Sequence, residues 1–209
     1  MKIKICGVTD IDTAKKVCEY GADYIGFVFA KSKRQITVEK AKVISNQIGS
    51  SIKKVGVFVD EKADDIIRIS NYCDLDYIQL HGSETLEGYK CKQKIIRSIS
   101  VDINEESDLD ENLQGLMNSY DHILFDTKVG KQAGGSGISF NWSKLVKLNL
   151  KKQRCFLAGG INIVNVEEAI RLVNPYAIDV SSGVEINGEK DVVKIREFIE
   201  LIRSGDCEL

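Results

Sequence analysis

Short hydrophobic runs alternate with stretches of helical spacing along the chain of 209 residues. The runs are rich in Val, Ile, Phe and Tyr and are bounded by polar residues or glycine, a pattern that predicts β-strands. We place eight strands at residues 2–6, 23–29, 54–59, 76–80, 94–100, 122–126, 154–158 and 177–181.

Apolar residues three and four positions apart predict a helix after each strand. Four polar residues are the expected helix starts, because their side chains can accept hydrogen bonds from free backbone N–H groups: Asp10, Thr37, Asp60 and Asn162. Further helices are expected at 84–91, 104–117 and 141–148 and near the end of the chain.

Strict alternation of strands with helices predicts a parallel sheet, because parallel neighbours need a crossover connection. Eight such units favour an α/β protein with a closed (β/α)8 TIM barrel, formed by residues 1–209 as one domain. An open, doubly wound sheet is the alternative architecture. The chain is short for a barrel, so its loops must be short.

Composition narrows the classes of partner. The 43% of hydrophobic residues suffice for an ordinary core, and a net charge of −2 gives no support for nucleic-acid binding. No apolar run is long enough to span a membrane, and the start of the chain lacks a signal-peptide pattern. We therefore expect a cytoplasmic protein; the sequence does not decide between monomer and homodimer.

Six cysteines and two histidines offer little for metal binding, because no CxxC pair is present. A chain of this length does not need disulfides, so most of the thiols are expected to be small buried groups in a reducing compartment.

The mouth of a barrel, at the C-terminal ends of its strands, is where active sites lie. Reactive and polar groups recur at these positions, including Cys6, the loop after residue 29, His81 and Asp126. Asp126 precedes the glycine-rich segment 134–137, whose backbone amides can approach an anion closely. This pattern is typical of an enzyme that handles a phosphorylated small molecule.

Lys4 shares one face of the first strand with Cys6, because side chains alternate along a strand. The apolar Ile3 and Ile5 should pack under the helices, which places Lys4 inside the barrel, where a charge needs a partner. Asp179 on the eighth strand is the expected partner, and Gln79 should also point inward.

Several motifs occur in order along the chain: KICG at 4–7, GFVF at 26–29 with SKR at 32–34, VGVFV at 55–59, QLHG at 79–82, Asp126, GGSG at 134–137, Gly159-Gly160, and DVSSGVE at 179–185. Together they resemble the phosphoribosylanthranilate isomerases of tryptophan biosynthesis over essentially the whole chain. The resemblance implies an Amadori rearrangement of a phosphorylated aminal, with no cofactor and no metal.

The resemblance also implies roles for individual residues. Asp126 matches the general acid and Cys6 the general base, while Arg34 matches the arginine that holds the anthranilate carboxylate. An acid at neutral pH requires a raised pKa for Asp126, and a base is best served by a favoured thiolate at Cys6. Glycine-rich loops after the last three strands are the expected phosphate site: Gly135, Gly137, Gly159, Gly160, Ser182 and Gly183.

Other interpretations stay open on the residues alone. His81 is expected to be structural and near the acid–base pair, His122 lies at a strand start, and Trp142 should pack in the core. Rival enzymes are a metal-dependent pentose-phosphate epimerase, which needs a histidine-rich ligand set, and the related isomerase of histidine biosynthesis, which uses two aspartates. A non-catalytic phosphosugar-binding barrel would need neither Cys6 nor Asp126.

Overall fold

A computed structural model describes residues 1–102, 113–129, 132–133, 139, 141–146 and 154–205. Eight parallel strands form its barrel: β1 Lys2–Cys6, β2 Tyr24–Val28, β3 Lys53–Phe58, β4 Tyr77–Leu80, β5 Lys94–Asp102, β6 His122–Val129, β7 Cys155–Leu157 and β8 Ala177–Val180. Each strand pairs with the next, and β8 pairs with β1 through the register Lys4 to Asp179. The predicted closed (β/α)8 barrel is therefore confirmed.

The described helices lie around the barrel: α1 Ile11–Glu19, α2 Val38–Gln47, α3 Ala63–Tyr72, α4 Leu113–Ser119, α5 Ser143–Val146, α6 Val166–Val173 and α7 Val192–Gly205. Asp10 and Thr37 cap α1 and α2 by accepting hydrogen bonds from Thr13 N and Lys40 N, as predicted. Within the described ranges, no helix has the length and apolar character needed to cross a lipid bilayer.

Short strands and a 3-10 turn add to the barrel at its mouth. The two-residue strand Gln132–Ala133 pairs antiparallel with β6. A 3-10 turn, Ser182–Val184, follows β8 and leads into a hairpin of Glu185–Ile186 with Glu189–Lys190. The hairpin brings two charged side chains, Glu185 and Lys190, to the mouth. The pattern of strands in the sequence did not place them there.

Two predicted N-cap residues and one predicted helix were wrong. Asp60 has a φ of 51° and its carboxylate accepts from Ser83 N at 2.8 Å, while Lys62 stands at the N-cap of α3. Residues 84–91 contain no helix. Asn165 rather than Asn162 stands at the N-cap of α6. At Asp60 a hydrogen bond across to the next loop replaces the local cap.

The remaining helix predictions fell partly on undescribed residues. Of the helix predicted at 104–117, residues 103–112 lie outside the described part of the chain, and α4 covers only its end. Residues 147 and 148 of the predicted 141–148 helix also lie outside it.

Two apolar layers hold the barrel together. One lies between strands and helices and includes Ile3, Ile5 and Phe198, all with no exposed surface. The other fills the lumen from its N-terminal end, as expected for a barrel of eight strands. We call five rings of this end the aromatic floor: Tyr24, Tyr77, His122, Phe156 and Tyr176, whose contacting pairs lie 5.2–5.8 Å apart between centroids.

A charged cluster ties the last helix to the first strands. The Asp23 carboxylate accepts from Lys2 Nζ at 2.7 Å, from Ile3 N at 2.9 Å and from Arg203 Nη2 of α7 at 2.7 Å. Burial alone would raise the pKa of Asp23, but these donors outweigh it and hold the pKa below its usual value. One carboxylate thus joins β1, β2 and α7.

We expect Asp23→Asn to lower the free energy of unfolding by about 1–3 kcal/mol near neutral pH, because charge-assisted hydrogen bonds are lost. The native pKa is depressed, so the difference should be full above ~pH 4 and vanish as the pH falls through the native pKa. Urea unfolding across this range checks it, with the exposed Glu197→Gln of α7 as control. An unchanged difference down to pH 2 would contradict the assignment.

Candidate active site

A cavity of about 540 Å³ opens at the C-terminal ends of the strands. Its walls differ in chemistry. Val28, Val57 and Val59 form an apolar side together with Arg34, while Gly159, Gly160 and Ser182 form a backbone-rich side. Cys6, His81 and Asp126 also line the cavity. Of the predicted site residues that the structure describes, all but Gly183 therefore line one cavity.

The Lys4 ammonium lies inside the barrel and has no exposed surface. It donates to Asp179 Oδ2 at 2.7 Å on neighbouring β8 and to Gln79 Oε1 at 2.8 Å on β4. A side chain of β1 can meet β4 only across the lumen, because β2 and β3 separate the two strands in the sheet. The predicted Lys4–Asp179 pair is confirmed.

The two charges of the pair compensate each other inside the barrel. Burial by itself would lower the pKa of Lys4, but the Asp179 carboxylate and the Cys6 thiol together outweigh it and raise the pKa above the usual value. Gln79 extends the polar layer by donating to Ser98 Oγ at 3.1 Å. A fixed positive charge therefore lies below Cys6 in the same strand.

Cys6 ends β1 and is 8% exposed. Burial raises the pKa of its thiol, and the Lys4 ammonium opposes the increase without cancelling it. The thiol has space because Gly26 is its register partner on β2. A Cβ at position 26 would lie 2.8 Å from Cys6 Sγ.

Asp126 lies on β6 and is 9% exposed. Its Oδ1 accepts from Thr127 N at 2.7 Å, and its Oδ2 lies 3.9 Å from His81 Nε2. Burial raises the pKa of Asp126 above its usual value, although His81 and the Thr127 amide act in the opposite direction. Burial therefore favours the protonated form of this carboxyl group.

His81 is held at the mouth by a braced loop. Arg97 donates to the carbonyl oxygens of Gly82 and Glu84, and the Glu84 carboxylate accepts from Gly82 N at 3.0 Å and Asp60 N at 2.7 Å. His81 thus reaches the edge of Asp126, near the acid as expected from the sequence. Its structural role stays a prediction.

Arg34 is paired with the carboxylate of Glu185, a contact that the sequence did not predict. Its Nε donates to Glu185 Oε1 at 2.6 Å and its Nη2 to Glu185 Oε2 at 3.0 Å. Burial would raise the pKa of Glu185, but Arg34 and Lys190 lower it to about 2. Glu185 is therefore ionised throughout the range in which a folded enzyme works.

A local signal for this hairpin was present in the sequence. Asn187-Gly188 is the dipeptide favoured in two-residue hairpin turns, and both residues have positive φ, 51° and 86°. Glu185 and Lys190 flank that turn and are paired in register. Recognition of this turn in the sequence would have predicted that the two charges lie side by side at the mouth.

The expected anion loops are described in part. Gly135 and Gly137 lie outside the described residues. Gly159 and Gly160 have φ of 83° and 68°, and a Cβ at Gly159 would collide with Thr127. Ser182 lines the cavity beside them, and Gly183 packs against the backbone of Ile161. Bare backbone is thus required at Gly159 and Gly183.

The five described cysteines, 6, 18, 73, 91 and 155, are free thiols. Among the described residues, His, Cys, Asp and Glu side chains form no group of three or more placed to hold a metal ion. Trp142 is buried in the core between barrel and helices, as predicted.

A closed barrel with a buried carboxyl group, a buried thiol and bare backbone loops at one mouth defines the class of (β/α)8-barrel acid–base enzymes.

Within that class, residues 3–201 match the family model described as N-(5'-phosphoribosyl)anthranilate isomerase, and the chain belongs to this family. A relative named N-(5'-phosphoribosyl)anthranilate isomerase from Bacillus thuringiensis (strain Al Hakam) is 47% identical over 209 residues, covering 99% of each chain. The crystal structure of the phosphoribosyl anthranilate isomerase of Thermotoga maritima is similar with a TM-score of 0.83 at 36% identity, covering 98% of this chain and 99% of that one.

A further similar structure was solved with reduced 1-(o-carboxyphenylamino)-1-deoxyribulose 5-phosphate bound to the isomerase. Its TM-score is 0.80 at 34% identity, and the match covers 98% of this chain and 99% of that one.

We expect Gly26→Ala to displace the Cys6 thiol, because the added Cβ would meet Sγ at 2.8 Å and the Cys6 Cα at 3.1 Å. Such overpacking costs about 1–3 kcal/mol, so the variant should fold with a lower melting temperature and a depressed kcat. Gly49→Ala is the matched control, because a Cβ there meets nothing within 4 Å. Alkylation of Cys6 at its wild-type rate in folded Gly26→Ala would contradict this prediction.

We expect Lys4→Met to cost about 3–5 kcal/mol of unfolding free energy, because it leaves the Asp179 carboxylate without its cation. Asp179→Leu should be costly for the converse reason. The double variant should lose far less than the two single losses together, since neither charge remains buried alone. Urea denaturation of all four proteins checks this; simple additivity would show that the pair is not coupled.

Proposed function

We propose that the chain isomerises N-(5-phosphoribosyl)anthranilate to 1-(2-carboxyphenylamino)-1-deoxyribulose 5-phosphate, with Asp126 as general acid and Cys6 as general base. The observation behind these roles is that both groups line one cavity, with a lysine ammonium beneath Cys6 only. Asp126 is buried with a raised pKa, and Cys6 lies above the Lys4 ammonium, which opposes the effect of burial on the pKa of the thiol. The relative solved with the reduced product analogue supports the same substrate class.

The first step opens the sugar ring. The protonated Asp126 donates its proton to the furanose ring oxygen, the C1–O bond breaks, and the anthranilate nitrogen supplies the electron pair that forms a C=N⁺ Schiff base. Burial favours the neutral carboxyl group that this step requires. His81 lies 3.9 Å from Asp126 Oδ2, where it can influence the carboxylate left behind.

The second step moves a proton from carbon. The Cys6 thiolate removes the C2 proton, the C–H electrons form the C1=C2 double bond, and the Schiff-base nitrogen becomes neutral. The enolamine then tautomerises to the aminoketose. Lys4 stabilises the thiolate from below, because its ammonium is the charge that most strongly lowers the pKa of Cys6.

The two walls of the cavity suit the two ends of the substrate. Val28, Val57 and Val59 offer an apolar surface for the aryl ring, beside Arg34 for its carboxylate. Gly159, Gly160, Ser182 and Gly183 supply backbone for the phosphate. The sequence predicts the same role for Gly135 and Gly137, which lie outside the described residues. This division orients C1 and C2 between the acid and the base.

We expect Cys6→Ala and Asp126→Asn each to lower kcat by at least ~10²-fold, because each removes one proton-transfer group. Turnover is followed by the fluorescence loss of freshly prepared phosphoribosylanthranilate. Cys155→Ala, a buried thiol elsewhere in the barrel, and Asp12→Asn, an exposed carboxylate of α1, are the matched controls.

Both site variants must retain the wild-type fold by circular dichroism for the comparison to count. Wild-type turnover with either folded variant still active would show that the acid or the base is assigned to the wrong residue. Ligand binding without turnover by the wild type would instead favour a phosphosugar-binding barrel.

A further inference from the structure

Arg34, Ser181, Glu185 and Lys190 form a connected group at the mouth, which we call the clasp. We propose that Glu185 and Lys190 are positioning residues: they hold one edge of the Arg34 guanidinium so that its other edge grips the substrate carboxylate. The clasp would then determine selectivity for a substrate with a carboxylated aryl ring. This inference rests on the proposed function, in which Arg34 meets that carboxylate.

The guanidinium geometry is the first ground. An arginine has five N–H donors in one plane, with one bidentate edge at Nε and Nη2 and another at Nη1 and Nη2. Glu185 occupies the first edge at 2.6 and 3.0 Å. Since Arg34 lines the cavity, the second edge is the one suited to a ligand carboxylate.

The aliphatic part of the Arg34 side chain, its stem, is fixed as well as its guanidinium group. A Cβ at Gly7 would lie 2.6 Å from Arg34 Cδ and 3.2 Å from Arg34 Cβ, so the stem rests directly on the Gly7 backbone. Gly7 has a φ of 79° and follows Cys6 in the chain. The arginine is therefore set at a defined distance from the proposed base.

Lys190 anchors Glu185 to the end of β8. Its side chain is 4% exposed, and its Nζ donates to Glu185 Oε1 at 2.5 Å, Ser181 O at 3.1 Å and Ser181 Oγ at 3.3 Å. These contacts use the three donors of an ammonium group. Ser181 Oγ in turn donates to Cys6 O at 3.0 Å, so the clasp joins the loops after β1, β2 and β8.

The charge of Glu185 allows a positioning role to be distinguished from simple electrostatic attraction of the ligand. Glu185 is anionic and repels a substrate carboxylate, so a site that used charge alone would bind that ligand better without Glu185. Lys33 lies 3.3 Å from Glu185 on the exposed side of the group. If orientation dominates, loss of Glu185 weakens binding despite the gain in positive charge.

The test compares two ligands with several variants by calorimetry. The ligands are reduced 1-(o-carboxyphenylamino)-1-deoxyribulose 5-phosphate and its counterpart without the carboxylate. We expect the wild type to prefer the carboxylated ligand and Glu185→Gln to lose about tenfold or more in affinity for it, the effect of one charge-assisted hydrogen bond. Affinity for the counterpart should change less than about twofold.

Glu185→Asp isolates position from charge, because it keeps the carboxylate and shortens its reach by one methylene. It should also weaken binding of the carboxylated ligand more than binding of its counterpart. Glu189→Gln is the matched control, since it makes the same chemical change on the same hairpin at an exposed position. In turnover, Glu185 variants should raise KM more than they lower kcat, which general destabilisation would not do.

Equal or tighter binding of the carboxylated ligand by Glu185→Gln would overturn the proposal, as would equal losses for both ligands. If Glu185→Gln fails to fold, Glu185→Asp decides by the same criterion. A wild type that does not distinguish the two ligands would instead remove Arg34 from carboxylate recognition. The roles of Cys6 and Asp126 would still be judged by turnover.

Discussion

The Lys4–Asp179 pair in the lumen is the constraint on which the site depends. A lysine with no exposed surface is tolerable only with a carboxylate at hydrogen-bond distance, and Asp179 lies at 2.7 Å. That contact requires β8 to close against β1 in one register, in which Lys4 faces Asp179. Closing the barrel and placing a cation below Cys6 are therefore the same structural event.

Burial raises the pKa of both proposed proton-transfer groups, with opposite consequences for their roles. It raises the pKa of Asp126, which helps an acid, and it raises the pKa of Cys6, which hinders a base. The reactive form, thiolate with neutral carboxyl group, contains as many protons as the form with neutral thiol and carboxylate. A pH profile therefore reports the coupled pair rather than either residue alone. Lys4 matters because it shifts the balance between these two forms at constant proton number.

The sequence predicted the barrel and the lumen pair because both follow from strand periodicity. Lys4, Cys6 and Asp179 needed only the rule that side chains alternate. The partner of Arg34 lies 151 positions away, and no periodicity indicates that the loops after β2 and β8 meet. Asp60 failed as a cap for a similar reason: its side chain reaches Ser83, 23 positions later, in preference to its own helix. Contacts within the barrel follow from the local alternation of side chains along each strand. Contacts between loops at the mouth depend on how the closed barrel brings distant segments together.

The aromatic floor has a consequence for water. Tyr24, Tyr77 and Phe156 pack edge to face across the lumen, and the Tyr24 and Tyr176 hydroxyls meet at 3.0 Å. These rings block the end of the barrel opposite the cavity, below the layer of Lys4 and Gln79. Water and protons then reach the lumen through the mouth, where the cavity opens beside Cys6 and Asp126. The two proposed proton-transfer groups therefore lie on the side of the barrel from which the lumen exchanges with solvent.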